Sequence, residues 1–253
     1  MDDEKKLKRF EAKIDSWRIR VKDDDDRKTV DEVFDRRTLL SVYKLFKDGI
    51  LDTVDFPIST GKEGNVFKCS GPDGSVALKV YRVSTATFKH ISKYIVGDPR
   101  FRGVQKNRNK VIHMWARKEN RNLERMASGG VRVPKPLACH NNMIAMEYIG
   151  TEEMPAPLLK DVHVEFPEKL FDEIVDNMRK IHDVGLVHGD ISEYNVLMSD
   201  STPVIIDVGQ GVPLEHSMAE EWLQRDIANI VRYFKRLGVK AELKEVTKRV
   251  RGD

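Results

Sequence analysis

Asp190, Asn195 and Asp207 lie among apolar runs in the C-terminal half of this 253-residue chain. The first two lie in "VHGDISEYNV" (Val187–Val196), and the third heads "DVG" within "IIDVGQGV". An asparagine and an aspartate offer hard oxygen atoms, the donors Mg²⁺ takes when it also binds phosphates. A carboxylate outside that pair can orient a hydroxyl and accept its proton. The H-x-D-x-x-x-x-N spacing, followed by an aspartate before a glycine turn, is the one phosphoryl transfer uses for these tasks. Any one of the three could equally cap a turn.

Two charged residues upstream belong to the same chemistry. Lys79 interrupts the apolar strand "VALKV", where an unpaired lysine is expensive to bury. On the helix that follows, Glu119 shares a face with Ile112, Trp115, Leu123 and Met126, whereas Glu124 turns away. Lysine and glutamate are natural partners, since opposite charges about 4 Å apart gain roughly 4 kcal/mol at an effective dielectric near 20, before desolvation. A plain buried ion pair would read the same way. Between two strands lies "STGKEGNVF", in which Ser59, Thr60, Gly61, Lys62, Glu63, Gly64, Asn65 and Val66 let backbone N–H groups approach phosphate oxygens. It is neither a Walker A loop nor a G-x-G-x-x-G, and tight hairpins use the same residues. The ordered set of small-residue loop, strand lysine, helix glutamate and Asp/Asn/Asp is what points to a kinase-type phosphotransferase.

Two neighbours receive supporting roles. His188 is expected to pack and hydrogen-bond within its own loop. Asp226 lies on an apolar helix face between Trp222 and Ile230, so it needs buried donors. The backbone around Asp190 is the expected source, which makes Asp226 a structural brace.

The elements that must position these groups follow from periodicity. Two helices are expected first, Glu4–Val21 and Thr29–Gly49, the second with Val33, Leu40, Tyr43 and Phe46 near one face. Residues 53–81 alternate like antiparallel strands with a "GPDG" turn. Residues 82–109 show no period and read as a long, partly mobile insertion. The helix "KVIHMWARKENRNLERMA", two strands "VRVPKPLAC" and "NNMIAMEYIG", and a mostly helical remainder complete the chain. The expected fold is α+β and bilobal: an antiparallel-sheet lobe with one embedded helix (51–149), a short helical lobe (150–253) and an N-terminal helical extension (1–50).

Composition sets outer bounds. The chain is 40% hydrophobic and 34% charged, with a net charge of +3. No apolar run approaches the roughly 20 residues that span a bilayer, and the charged N-terminus is no secretory signal, so no membrane partner is expected. Cys69 and Cys139 lack metal-ligand spacing and read as small core residues of a reducing, cytoplasmic protein. From Arg100 to Arg125 the basic residues Arg100, Arg102, Lys106, Arg108, Lys110, Arg117, Lys118, Arg121 and Arg125 face only Glu119 and Glu124. Such a patch suits a phosphate-rich partner, or is a solvated helix face.

Together, "ISTGKEGNVF", the "FRFRG"-like insertion sequence, "WARKENRNLERM", "LVHGDISEYNVL" and "IIDVGQGV" resemble the RIO family of atypical serine protein kinases, most closely its Rio1-type subfamily. The likeness runs from "DRRTLLSVYKLF" to the last helix. It implies ATP phosphates under Ser59–Val66, a phosphate-anchoring Lys79 paired with Glu119, a catalytic Asp190, and Mg²⁺ (Mn²⁺ as a substitute) on Asn195 and Asp207. "MEYIG" resembles the hinge, with Met146 bordering adenine and the backbones of Glu147 and Ile149 bonding its edge. It also implies autophosphorylation, a protein substrate, and contact with the maturing small ribosomal subunit and its RNA. Gly64 departs from the family pattern, which carries alanine there. The absence of a preceding winged helix and of a long charged tail suits a compact archaeal-type member.

Only 46 residues (208–253) follow Asp207, one clear helix and a charged end, so no activation segment is expected. Gly189, where many kinases carry arginine, agrees with that. Two other activities stay in play: an ATP-hydrolysing assembly switch on pre-ribosomes, and a small-molecule phosphotransferase of the aminoglycoside or choline kinase type, which shares "HGD".

Overall fold

The computed structural model describes residues 36–61, 64–82, 91, 94, 95, 98 and 107–253. The expected first helix, the acidic run at 23–26, Val33, Lys62, Glu63 and most of the 82–109 segment lie outside them. Two compact units emerge. Described residues up to 82, with 107–117 and 136–148, form one; 91–98, 118–135 and 149–253 form the other.

The first unit is built on a five-stranded antiparallel sheet of order β1-β2-β3-β5-β4. Its strands are β1 (Thr53–Thr60), β2 (Gly64–Gly71), β3 (Gly74–Tyr81), β4 (Pro136–His140) and β5 (Met143–Glu147). Residues directly opposed across strands share a face. One row is Phe67–Leu78–Ala145 and the next, on the other face, is Val66–Lys79–Ile144. The first face, with Cys69, Val76, Val80 and Met143, fuses with Leu39, Val42 and Leu45 of helix α1 (Arg36–Lys47) and with Leu51 into one core. Each such side chain contributes about 1.5–3 kcal/mol when removed from water. Helix α1 therefore covers the sheet face away from Lys79. Its buried stripe is Leu39, Val42 and Leu45, with Tyr43 and Phe46 partly buried, while Leu40 is exposed. The expected face was thus misplaced by about one residue at Leu40. α1 stops where the Gly49 N–H bonds to the Phe46 carbonyl and the Ile50 N–H to the Leu45 carbonyl. That closure needs a left-handed residue, and Gly49 has φ +70°.

Other expectations need revision. Of "VRVPKPLAC" only Pro136 to Cys139 join a strand, which runs on to His140; Pro134 has no N–H to donate to a ladder, and Pro136 is accommodated as the first strand residue. Cys69 is fully buried, and desolvation, aided by the charge of Asp55, pushes its thiol well above the usual range. Cys139 is half-buried. In the segment expected to be an insertion, Ile91, Tyr94, Ile95 and Asp98 are buried.

Helix α2 (Arg108–Ser128) buries Ile112, Trp115, Glu119, Leu123 and Met126, the stripe read from the sequence, and exposes Glu124. The second unit adds α3 (Pro167–Asp183), α4 (Ala219–Arg236) and α5 (Leu243–Arg251). The end of the chain, expected to be merely charged, is the amphipathic α5: Val246 and Val250, four apart, are buried, and the helix packs on α3 and α4.

Candidate active site

Two short antiparallel ribbons are nested in the second unit. β6 (Leu186–Val187) pairs with β9 (Val212–Pro213), and β7 (Val196–Ser199) pairs with β8 (Thr202–Ile205). Chain order is β6, β7, β8, β9, so the loops 188–195 and 206–211 are each clamped at both ends and must run side by side. A two-residue turn closes the inner ribbon, with Asp200 and Ser201 both at positive φ (+47° and +66°). Such a turn matches the twist of the flanking strands.

This nesting brings the expected residues together. The Ile206 N–H donates to the Asn195 carbonyl at 3.0 Å, continuing the inner ladder one step. Asp207 follows in a left-handed conformation, φ +59°, tolerable for aspartate, at the N-cap position of a turn of 3₁₀ helix at Val208–Gln210, with its side chain making no cap hydrogen bond there. The Asn195 Nδ2 donates to the Asp190 carbonyl at 2.8 Å and reaches its Oδ2 at 3.4 Å. With its nitrogen so engaged, the Asn195 amide presents its oxygen as the free donor atom for a cation. Asp190 N–H donates to His188 Nδ1 at 3.3 Å, and His188 Nε2 lies 3.1 Å from the Ile206 carbonyl. Nδ1 therefore accepts and Nε2–H donates, so the buried His188 bonds within its own loop, as expected, and also across to the second loop, which was not.

Asp226, on α4, braces the first loop. Its Oδ2 accepts the Gly189 N–H at 2.7 Å and its Oδ1 the Ile191 N–H at 3.0 Å, one on each side of Asp190. Burial pushes the Asp226 carboxyl up to about 7, against the opposing pull of those two N–H groups and of Arg225. The Arg225 guanidinium donates to the Gly189 carbonyl. Gly189 itself has φ +79°, a conformation an arginine there would strain.

Four residues of the site were not singled out by sequence. Gln210 Nε2 donates to Asp190 Oδ2 at 3.1 Å, and the Tyr94 hydroxyl donates to Gln210 Oε1. From α2, Lys118 Nζ donates to the Gly209 carbonyl at 2.6 Å, and Asn122 Nδ2 to the carbonyls of Val208 and Gly211 at 2.8 and 3.0 Å. Lys118, grouped by sequence with the basic patch, is 1% exposed and holds the loop after Asp207 instead. Its signal was position: Lys118 and Asn122 are four apart, bordering the apolar stripe.

In the first unit, Ser59, Val66, Lys79 and Ile144 form one row on the sheet face opposite α1, with Met146 farther along that face in the Lys68–Ala77–Met146 row. Thr60 and Gly61 end the exposed β1 side of the turn, where the Gly61 N–H bonds to the Gly64 carbonyl. Asn65 points to the core face, and its Oδ1 accepts from Arg82 at 3.1 Å. Glu147 opposes Val76, so its side chain is on the α1 face. In the second unit, the carbonyl of the buried Ile149 accepts from the Ala156 N–H, which leaves its N–H as the group open to a ligand. A Cβ at Gly64 would lie 2.4 Å from the Val80 carbonyl oxygen, so alanine is no conservative exchange in this chain.

Among the described residues no group of three or more His, Cys, Asp or Glu is arranged to hold a metal ion by itself. The amide oxygen of Asn195 and the carboxylate of Asp207 fit a different case. They suit Mg²⁺, which completes its shell with phosphate and water oxygens.

Residues 65–247 match the RIO domain family. The chain belongs to the RIO family. The RIO chain is 42% identical to the RIO-type serine/threonine-protein kinase Rio1 of Haloferax volcanii, over 97% of its own length and 85% of the relative's. It is 42% identical to the protein of that name from Methanocaldococcus jannaschii, covering 90% of this chain and 79% of the other. The human serine/threonine-protein kinase RIO1 is 40% identical, but the RIO chain spans only 40% of its length. The Rio2 kinase of Chaetomium thermophilum, solved as an ADP/Mg²⁺–phosphoaspartate complex, superposes with a TM-score of 0.66 at 24% identity, covering 85% of this chain and 66% of that one. The RIO chain thus has a kinase-like α+β fold.

Proposed function

We propose that this RIO-family chain is a Mg²⁺- and ATP-dependent serine/threonine protein kinase that also phosphorylates itself. One observation carries the assignment: the nested ribbons hold the Asp190 carboxylate and the Asn195 amide in hydrogen-bonding contact, one residue step from the backbone that presents Asp207. Asn195 and Asp207 hold the ion, which when bound neutralises charge on the phosphates. Asp190 orients the acceptor hydroxyl. As the acceptor oxygen bonds to the γ-phosphorus and the bond to the β–γ bridging oxygen breaks, the hydroxyl proton passes to Asp190 and ADP leaves. Lys79, level with Val66 on the sheet face opposite α1, is assigned to the ATP phosphates, beneath the Ser59–Val66 turn.

The protein substrate is proposed to be an RNA-rich assembly such as the maturing small ribosomal subunit. Arg117, Arg121 and Arg125 support that reading, since they are exposed and spaced four apart along one line of α2.

The test is labelled ATP with Mg²⁺, supplied to the chain alone and to purified pre-ribosomal particles, followed by location of the label. Label on serine or threonine is the expected result. For Asp190→Ala, ATP binding should persist while transfer falls on the order of 100- to 10,000-fold. Undiminished turnover in that variant would remove Asp190 from the chemistry. Phosphate release with no labelled protein would favour the hydrolytic switch, and label on an aminoglycoside alone the small-molecule phosphotransferase.

A further inference from the structure

We propose that Gln210 and Tyr94 are positioning residues for Asp190, acting as a buried two-step strut that fixes which carboxylate oxygen faces the acceptor. The inference rests on the reading of Asp190 as the catalytic carboxylate.

The direction of each bond follows from the end of the chain. An ionised carboxylate only accepts, so the Gln210 amide must turn its Nε2 to Asp190 Oδ2, 3.1 Å away. Its Oε1 then faces Tyr94, and the phenol must donate. Oδ2 thus receives Gln210 and, at 3.4 Å, Asn195. Oδ1 is the oxygen left for the acceptor hydroxyl.

The strut is largely buried. Gln210 is 4% exposed and Tyr94 1%. The Tyr94–Gln210 bond is buried and the Gln210–Asp190 bond part-buried, and in such surroundings a lost partner is costly. Tyr94 packs against Trp222 with ring centroids 4.9 Å apart, and Lys118 Nζ lies 6.0 Å from the Tyr94 ring centroid. Trp222 begins the same helix that carries Asp226 one turn later. The main chain of Gln210 is held through its neighbours, by Lys118 at Gly209 and by Asn122 at Val208 and Gly211. Backbone of the catalytic loop and side chain of Asp190 are therefore positioned from two separate anchors. Apart from the Asn195 amide that shares Oδ2, none of these contacts involves the side chains assigned to nucleotide or metal.

The test uses the full chain and measures kcat and the KM for ATP in Mg²⁺-dependent phosphate transfer, with melting temperatures alongside. Gln210→Met keeps the volume and removes the donor; Tyr94→Phe removes one hydroxyl. Gln210→Met should lower kcat about 10- to 100-fold, the scale on which small misplacements of a catalytic group act, with KM for ATP unchanged. Tyr94→Phe should lower kcat several-fold with KM for ATP unchanged, and melt below the wild type because Gln210 Oε1 loses its buried donor. If the phenol acts only through the amide, the double variant is no slower than Gln210→Met alone. Wild-type kcat in both single variants, multiplied losses in the double variant, or a rise in KM at constant kcat would each overturn the proposal. Asp190→Ala in the same assay separates the two levels. If it is inactive while both strut variants work normally, only the strut falls; if it turns over normally, the reading of Asp190 falls with it.

Discussion

At the scale of single residues, the site divides one loop's duties among side chains of different kinds. Asp190 is held by amides and stays an acceptor, Asn195 spends its nitrogen on Asp190, and Asp207 adopts a left-handed backbone that few residues tolerate. Asp207→Ala should abolish Mg²⁺-dependent nucleotide binding; an Mg²⁺ titration of nucleotide affinity identical to the wild type would contradict the ligand assignment. Asp226 predicts a pH effect. Its carboxyl sits at about 7 rather than the ordinary 3.8, so between these values the folded protein keeps a proton that the unfolded chain has released. The stability from this group is complete below the lower value and is lost as pH rises through about 7, at no more than about 1.4 kcal/mol per pH unit. Asn cannot titrate and can accept only one of the two N–H groups. The stability difference between wild type and Asp226→Asn should therefore shrink from pH 5 to pH 8 in urea unfolding; a difference that grows with pH would refute the sign.

At the scale of elements, glycine and helix register decide what the strands and loops can do. Gly64 allows β2 to pass close to β3, and Gly64→Ala drives a methyl against the Val80 carbonyl oxygen. The expected cost is about 1–3 kcal/mol of unfolding free energy, measured by denaturant titration. A melting curve equal to the wild type would show that the hairpin relaxes without cost. The helix α2 was legible as an amphipathic stripe, because apolar side chains recur with the helical period. That Lys118 belonged inside was not legible, because a lysine beside the stripe is as readily solvated, and partners such as the carbonyl of Gly209 are what give it a reason to be buried. The same holds for Leu40, which shares the helical period but faces away from the sheet.

At the scale of the whole molecule, two units each have their own architecture, a five-stranded sheet under α1 and a helical unit with nested ribbons. No helix among the described residues is long and apolar enough to cross a membrane. The proposed RNA-rich partner would be addressed by charge. With Lys118 buried, the exposed part of the basic stretch on α2 reduces to Arg108, Lys110, Arg117, Arg121 and Arg125. Replacing Arg117, Arg121 and Arg125 by alanine should weaken binding to structured RNA and lower the slope of log affinity against log salt by about one for each phosphate contact removed. An unchanged slope would show that this line of arginines is merely solvated.

The sequence by itself determined the order of the parts: Asp190, Asn195 and Asp207 at fixed spacing, Lys79 in a strand, the small-residue turn, and helices α1 to α4. These are local properties, set by residue type and by periods of a few residues. Tertiary structure alone decided how the parts are held. Tyr94 and Gln210 are 116 positions apart, Lys118 and Gly209 are 91 apart, and Asp226 reaches back 37 residues to Gly189. No local pattern encodes such pairings. They exist because a buried polar group must find a partner wherever the packed chain brings one, and the nested ribbons set where that is.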